Sequence, residues 1–297
     1  MTFESLLRQN RSDLALVIGN GINRYGAAST TNSWNDLLVR LAGQFLSPKL
    51  RQIPTGIALT EFYDLLELKS GPSLSGKSLQ KEFCEQINGW QPYTHHKRIV
   101  SWAQKVQCPI LTTNFENVLG MAGDCEMYHT KREGFTDYYP WETYYGNKHL
   151  TDPTAGFGIW HINGMEHYQR SIRLGLSHYM GSVQRARNWI HRGKERRLFA
   201  GNHVRNWCGA GTWLNVIFHK PLLIFGLGLD ENEVFLRWLL IERARYFRNF
   251  PKRSKPAWYV HSDEAEGSGK LYFLEGVGVK SVRTRSYDEI YGIASWA

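Results

Sequence analysis

Short, continuous apolar runs of strand length constrain the fold of this chain more than any other feature. Residues 14–18 have the sequence LALVI and residues 222–225 have the sequence LLIF. A run without polar alternation suits a strand buried on both faces, as in a parallel sheet covered by helices. Helical patterns follow such runs, for example from Ser33 and over residues 232–247. This alternation predicts an α/β fold with a mostly parallel sheet.

The remaining segments complete a predicted single domain of 297 residues with a Rossmann-like, doubly wound sheet. Further strands are predicted near residues 110–112, 158–164, 257–260 and 278–282. Residues 126–158 are rich in Tyr and Gly with weak periodicity, which predicts an irregular loop region. The predicted core comprises about residues 12–46, 96–120, 156–182 and 216–297, with a helical insertion at about 47–95 and irregular and basic segments at about 121–155 and 183–215.

Charge and cysteine content narrow the class of protein. The net charge of +9 predicts an anionic partner, such as a nucleotide, a nucleic acid or an acidic protein surface. The four cysteines are far apart and include no C-x-x-C pair, which argues against a zinc ribbon and a disulfide framework. We therefore expect a reducing, cytoplasmic location.

The start of the chain lacks a positive signal-peptide region, and the most apolar run, residues 221–229, is too short to span a bilayer.

Glycines follow the first of the strand-like runs. Residues 19–23, GNGIN, place a G-x-G turn where backbone N–H groups can bind a phosphate. The dinucleotide fingerprint needs a third glycine where this chain has Arg24, so a plain tight turn is the commoner interpretation. Residues 226–230, GLGLD, repeat the pattern after a second strand. Asp230 is either a helix cap or an acceptor for ribose hydroxyl groups.

Two further strand ends carry polar side chains. Asn114 follows the strand at residues 110–112, at the edge where open α/β sheets bind ligands. Its amide offers an acceptor and two donors, although capping of the next helix is an equally good explanation. His161 lies at the end of another short strand, and a lone His is more often structural than catalytic. Four such strand ends in one chain favour a binding site.

These motifs, in this order, resemble the sirtuin-like domains of bacterial anti-phage defence proteins. The resemblance runs over most of the chain and rests on residues 19–23 (GNGIN), 33–38 (SWNDLL), 112–116 (TTNFE), 161–164 (HING) and 226–232 (GLGLDEN). Glu116 stands where the family usually has Asp, and the family's His-Gly pair is two residues longer here. The zinc-ribbon cysteines of classical sirtuin deacylases are missing.

The resemblance implies hydrolysis of NAD⁺ at the nicotinamide–ribose bond, giving nicotinamide and ADP-ribose, by a defence effector that depletes NAD⁺. It places the catalytic roles on Asn114 and His161 and implies no metal. The residues implied in binding NAD⁺ are Gly19, Asn20, Gly21, Asn23, Thr113, Gly226, Gly228 and Asp230.

Two other functions stay open at this stage. One is protein deacylation or ADP-ribosyl transfer, which the missing zinc module disfavours. The other is a nucleotide- or nucleic-acid-binding subunit without hydrolytic activity, for which neither Asn114 nor His161 would be needed. The resemblance also implies that the hydrolytic activity is controlled, either by self-assembly into a homo-oligomer or by a DNA-translocase-type ATPase partner.

Two basic clusters remain outside this site. One spans residues 185–197 and contains Trp189, and the other includes Arg243, Arg245, Arg248, Lys252 and Arg253. Clustered Arg beside an aromatic ring predicts nucleic-acid binding through phosphates and stacking. A solvated face, or a surface for an acidic protein, is the commoner meaning of such clusters.

Overall fold

An eight-stranded sheet organises the protein. The structure, a computed structural model, describes residues 2–26, 32–46, 49–70, 78–131, 139–192, 194–202, 204–231, 233–262 and 267–296. The order of the strands across the sheet is β3-β4-β5-β2-β1-β6-β7-β8. Their bounds are β1 Ala15–Ile18, β2 Ile110–Thr112, β3 Glu126–His129, β4 Thr143–Gly146, β5 Ile159–His161, β6 Leu222–Phe225, β7 Ala257–His261 and β8 Val279–Arg283.

Six of these strands form a parallel sheet with the Rossmann order. From β5 through β2, β1, β6 and β7 to β8, every neighbouring pair is parallel. Numbered among themselves along the chain, the six strands have the order 3-2-1-4-5-6, that of the doubly wound dinucleotide-binding fold. The order reverses between β1 and β6. The predicted α/β, Rossmann-like class is confirmed.

The prediction of an irregular region over residues 126–158 is wrong in part. β3 and β4 lie within it, pair antiparallel with each other, and extend the sheet beyond β5. β3 is partly exposed and has the sequence EMYH, so it lacks the apolar run that marks the buried strands. Residues 132–138 of this region lie outside the described residues.

Helices cover both faces of the sheet, because successive strand side chains point to opposite faces. Ala15 and Val17 belong to the apolar cluster on one face, and Leu16 and Ile18 to the cluster on the other. The helix bounds are α1 Phe3–Gln9, α2 Gly21–Arg24, α3 Trp34–Phe45, α4 Leu59–Ser70, α5 Leu79–Ile87, α6 Thr94–Val106, α7 Val118–Ala122, α8 Leu176–Arg187, α9 Leu214–His219, α10 Val234–Asn249, α11 Ser268–Gly276 and α12 Tyr287–Tyr291.

The predicted helical insertion contains α4 and α5. With α3 they enclose a third apolar cluster, to which Phe115 contributes from the segment after β2. The insertion therefore packs against the segment that carries Asn114. The sequence SGPS at residues 70–73 predicts a break between two helices. α4 ends at Ser70, and residues 71–73 lie outside the described residues. In the part of the chain that the structure describes, no helix is long and apolar enough to span a bilayer.

Candidate functional site

The polar and glycine-rich strand ends singled out in the sequence meet at one edge of the sheet. Thr112 of β2 is in register with Ile18 of β1 and with His161 of β5. Ile18 is also in register with Phe225 of β6. The carboxyl ends of these four strands therefore lie side by side, where the strand order reverses. Open α/β sheets bind their ligands at this place.

His161 is oriented by the backbone of Asn114. Its Nδ1 lies 2.8 Å from the Asn114 carbonyl oxygen. A carbonyl only accepts, so Nδ1 carries the proton and donates, and Nε2 keeps its lone pair. Burial lowers the pKa of His161 to about 4, so the ring is neutral near pH 7. Nε2 is buried and has no hydrogen-bond partner among the described residues.

The Asn114 side chain is fully buried. Its Oδ1 and Nδ2 also have no hydrogen-bond partner among the described residues. Its backbone N–H donates to Thr112 Oγ1 at 3.1 Å, which holds the turn after β2. The next helix, α7, begins four residues later at Val118 and has Asn117 at its N-cap position, so helix capping does not explain Asn114.

Glu116 is a site residue that was not among the predicted ones: its only mark in the sequence was a Glu where the sirtuin-like domains usually have Asp. It is 2% exposed, and its Oε1 accepts a hydrogen bond of 2.7 Å from Asn23 Nδ2. Burial raises its pKa to about 7, against the opposing effect of that hydrogen bond. The Asn114 amide is close enough to lower this pKa, although the two groups form no hydrogen bond of normal geometry. The useful sequence signal was an acidic residue two positions after Asn114.

Asn23 connects Glu116 to His96 on α6, a residue that no sequence motif singled out. The Tyr93 N–H donates to His96 Nδ1 at 3.0 Å, so His96 Nε2 carries the proton and donates to Asn23 Oδ1 at 3.0 Å. Burial lowers the pKa of His96 to about 3. Asn23 Nδ2 then faces Asn20 Oδ1, at 3.0 Å, and Glu116. Asn23 therefore positions Glu116.

The glycines at the ends of β1 and β6 let two loops pack backbone against backbone. A Cβ on Gly19 would lie 2.3 Å from Leu227 Cβ, and one on Gly21 would lie 2.8 Å from Gly226 Cα. The Gly19 N–H donates to the Phe225 carbonyl at 3.1 Å, and the Gly21 N–H donates to that of Gly226 at 2.6 Å. Both N–H groups are therefore already hydrogen-bonded to backbone carbonyls of the protein itself. A phosphate at this turn must be bound through other groups.

The other predicted binding residues flank this contact. Thr113 is buried, and its N–H donates to the Ile18 carbonyl at 3.1 Å, which extends the pairing of β1 with β2. Gly228 is exposed and Asp230 is half-buried. Burial, and secondly the nearby charge of Asp230, raise the pKa of Glu233 to about 7.

A cavity of about 340 Å³ adjoins the site. Tyr145 lines it and presents its ring edge-on to His161, with the ring centroids 5.8 Å apart. Glu166 also lines it and accepts a hydrogen bond of 3.1 Å from the Asn117 N–H. The cavity therefore meets the segment between Asn114 and α7. Its lining residues are Cys84, Glu85, Asn88, Asn117, Tyr145, Glu166, His167 and Gln169.

The site has the features of a neutral acid–base centre. Within the described ranges, no group of three or more His, Cys, Asp or Glu side chains is arranged to hold a metal ion. The described groups near Asn114 are a neutral imidazole, an amide and a carboxyl group with a raised pKa. Comparison with protein-family models and with curated proteins found no match to this chain.

Proposed function

We propose that the protein hydrolyses NAD⁺ at the nicotinamide–ribose bond. The observation that carries this proposal is the clustering of buried polar atoms without partners. Asn114, Glu116 and His161 supply four of the twelve such atoms in the described part of the chain. Buried polar groups are nearly always hydrogen-bonded, and an unpartnered set that converges at a strand end fits a ligand-binding site. NAD⁺ as the ligand rests on the resemblance to sirtuin-like domains.

The reaction needs a proton acceptor and a group that positions the reactants. As the bond from ribose C1′ to nicotinamide breaks, nicotinamide leaves with the electron pair and positive charge builds on the ribose. Water then attacks C1′ and loses one proton. Neutral His161, with Nε2 unprotonated, is the proposed acceptor. Asn114 holds the water or the ribose hydroxyl groups in position.

The strand-end loops are the proposed binding surface for the rest of NAD⁺. Asn20 and Gly228 lie on loops that follow β1 and β6, on either side of the point where the strand order reverses. Asp230 is the proposed acceptor for the adenosine ribose hydroxyl groups. The defence role, a homo-oligomeric state and an ATPase partner are proposals that rest on the resemblance alone.

Measurement of NAD⁺ turnover tests this function. Asn114→Ala and His161→Ala are each expected to lose at least about a hundredfold in turnover, the usual contribution of one acid–base or positioning group. Asn206→Ala and His149→Ala are matched controls, because both side chains are exposed. Each protein is assayed with and without candidate partner proteins and DNA, and nicotinamide and ADP-ribose are quantified.

Three results contradict the proposal. Full turnover in either active-site variant excludes the assigned mechanism. Binding of NAD⁺ without turnover in any condition indicates a subunit without hydrolytic activity. Appearance of ADP-ribose on a protein acceptor, or of a deacylated peptide, indicates the transferase or deacylase alternative.

A further inference from the structure

The two segments that contain the basic clusters carry more positive charge than the whole chain. These segments, residues 183–206 and 241–255, contain 13 of the 36 Lys and Arg residues but only two of the 27 Asp and Glu residues, which gives them a net charge of +11. The whole chain has a net charge of +9, so everything outside these two segments sums to −2. The general excess of positive charge is therefore a local property.

The fold brings these two segments together. Glu242, on α10, accepts hydrogen bonds from His191 at 2.7 Å and from Arg245 at 2.7 Å. Arg253 Nη2 donates to the Gly201 carbonyl at 2.7 Å. Residues 188–192 and 194–201 thus lie along the second half of α10 and the 3-10 turn Pro251–Arg253 that follows it. We call the exposed cations of residues 185–205 and 245–253 the basic face.

Most of the cations in these two ranges point to solvent. Among the described residues of the two ranges, nine Lys and Arg side chains are exposed, against one exposed acidic side chain, Glu195. Arg192, Arg248 and Lys252 form no hydrogen bond or ion pair with the described residues. Such a density of unpaired cations costs free energy by mutual repulsion, which a polyanion would relieve.

The basic face lies away from the candidate NAD⁺ site. The buried Arg243 side chain donates to the carbonyls of Lys220 and Pro256, the residues that lead into β6 and β7. Arg243 is therefore level with the amino ends of the strands. The later part of α10 extends beyond that edge, whereas Asn114 and His161 lie at the carboxyl ends.

The side chains of this face fit phosphates better than bases or proteins. Seven of its nine exposed cations are Arg, whose planar guanidinium binds phosphate oxygens in pairs. The sequence suggested that Trp189 stacks on bases. Trp189 is instead half-buried and packs edge-on against Trp141, with the ring centroids 4.9 Å apart, so its ring is not exposed for stacking. None of the large apolar side chains that are exposed in the described chain lies on this face, and protein interfaces need such anchors.

We propose that the basic face binds the phosphate backbone of duplex nucleic acid without regard to sequence. A duplex carries one charge for about every 1.7 Å of its axis, a higher density than a single strand offers. Fluorescence anisotropy with a labelled DNA duplex, and with one of its strands alone, measures both affinities between about 50 and 200 mM salt. We expect tighter binding of the duplex and a steep loss of affinity with salt.

Two charge-matched triple variants test the location of the binding surface. The first combines Arg192→Gln, Arg248→Gln and Lys252→Gln on the basic face. The control combines Lys81→Gln, Lys97→Gln and Lys105→Gln, three exposed side chains on α5 and α6. If each lost cation removes one phosphate contact, the slope of log K against log salt falls by about 2.7 in the first variant. Duplex affinity at about 50 mM salt falls at least about tenfold, and the control stays near wild type.

Three results overturn the proposal. The first is that the protein does not bind the duplex even at the lowest salt. The second is that the control variant loses as much duplex affinity as the basic-face variant. The third is that poly-glutamate displaces the duplex more effectively than unlabelled DNA does. The last would indicate an acidic protein as the partner. NAD⁺ binding and turnover are measured on the same samples and are expected to be unchanged, so a failure of the proposed hydrolase function leaves this test intact.

Discussion

Replacing Glu116 by Gln tests the electrostatics of the candidate site most directly. The Gln side chain has the same shape and keeps an oxygen that can accept from Asn23 Nδ2. Burial raises the pKa of Glu116 from 4.5 to about 7. At about 1.4 kcal/mol for each pKa unit, ionising Glu116 in the folded protein costs about 3 kcal/mol more than in the unfolded chain. Gln carries no such cost.

The sign of the pH dependence follows from proton binding. Between pH 4.5 and about 7 the folded protein holds a proton on Glu116 that the unfolded chain has released, so the free energy of unfolding falls as pH rises. Below that window both states are protonated, and above it both are ionised. The free energy of unfolding of Glu116→Gln, minus that of the wild type, should therefore rise by about 3 kcal/mol from pH 4.5 to 8.

Urea denaturation of both proteins across this range measures the difference. All other titrating groups are common to the two proteins and cancel. Glu85→Gln removes an exposed carboxylate and controls for the change in net charge. A difference that stays constant within about 1 kcal/mol would refute the reasoning, because burial would then not hold the proton on Glu116.

Two further predictions concern stability. Gly226→Ala should lower the free energy of unfolding by about 1–3 kcal/mol in a thermal or urea melt, because Gly226 has φ +72° and a Cβ would lie 2.6 Å from Tyr291 Oη. Gly181→Ala, whose Cβ meets nothing within 4 Å, should be neutral or stabilising, and an equal loss in both variants would contradict the steric argument. The buried imidazoles act in the opposite sense to Glu116. Burial holds the pKa at about 3 for His96 and about 4 for His161, so the unfolded chain protonates these rings while the folded protein keeps them neutral, and their contribution to the free energy of unfolding falls as pH drops from 6.5 toward 4. The free energy of unfolding of His161→Gln, minus that of the wild type, should therefore rise as pH drops over this range in the same urea melts, and a constant difference would contradict it.

The sequence predicted the parallel sheet well because its strands are buried on both faces. β6 matches the predicted run of residues 222–225, and its alternate side chains, such as Leu222 and Leu223, pack into clusters on opposite faces. β3 and β4 escaped prediction because neither carries a continuous apolar run: β3 has the sequence EMYH and β4 the sequence TYYG. β3 is partly exposed, and β4 pairs with β5 through one residue pair.

The site was predictable only as far as single strand ends reveal it. Asn114 and His161 each follow a strand, and the parallel register brings them together across 47 positions of sequence. His96 contacts Asn23 across 73 positions, from the middle of a helical pattern with no local mark of a site. No spacing rule connects such residues, because the contact depends on how α6 packs beside α2.

The orientation of Asn23 explains why this site carries little charge. His96 donates to Oδ1 of the amide, so Nδ2 must face Glu116. An amide donor stabilises a carboxylate less than a cation does, and burial therefore leaves the pKa of Glu116 at about 7. His161, with a pKa of about 4, is deprotonated while Glu116 is still protonated, which reverses the usual order of these two groups. Between those values both are neutral, so the imidazole lone pair is available and neither group adds a positive charge to oppose the one that develops on the ribose in the proposed reaction.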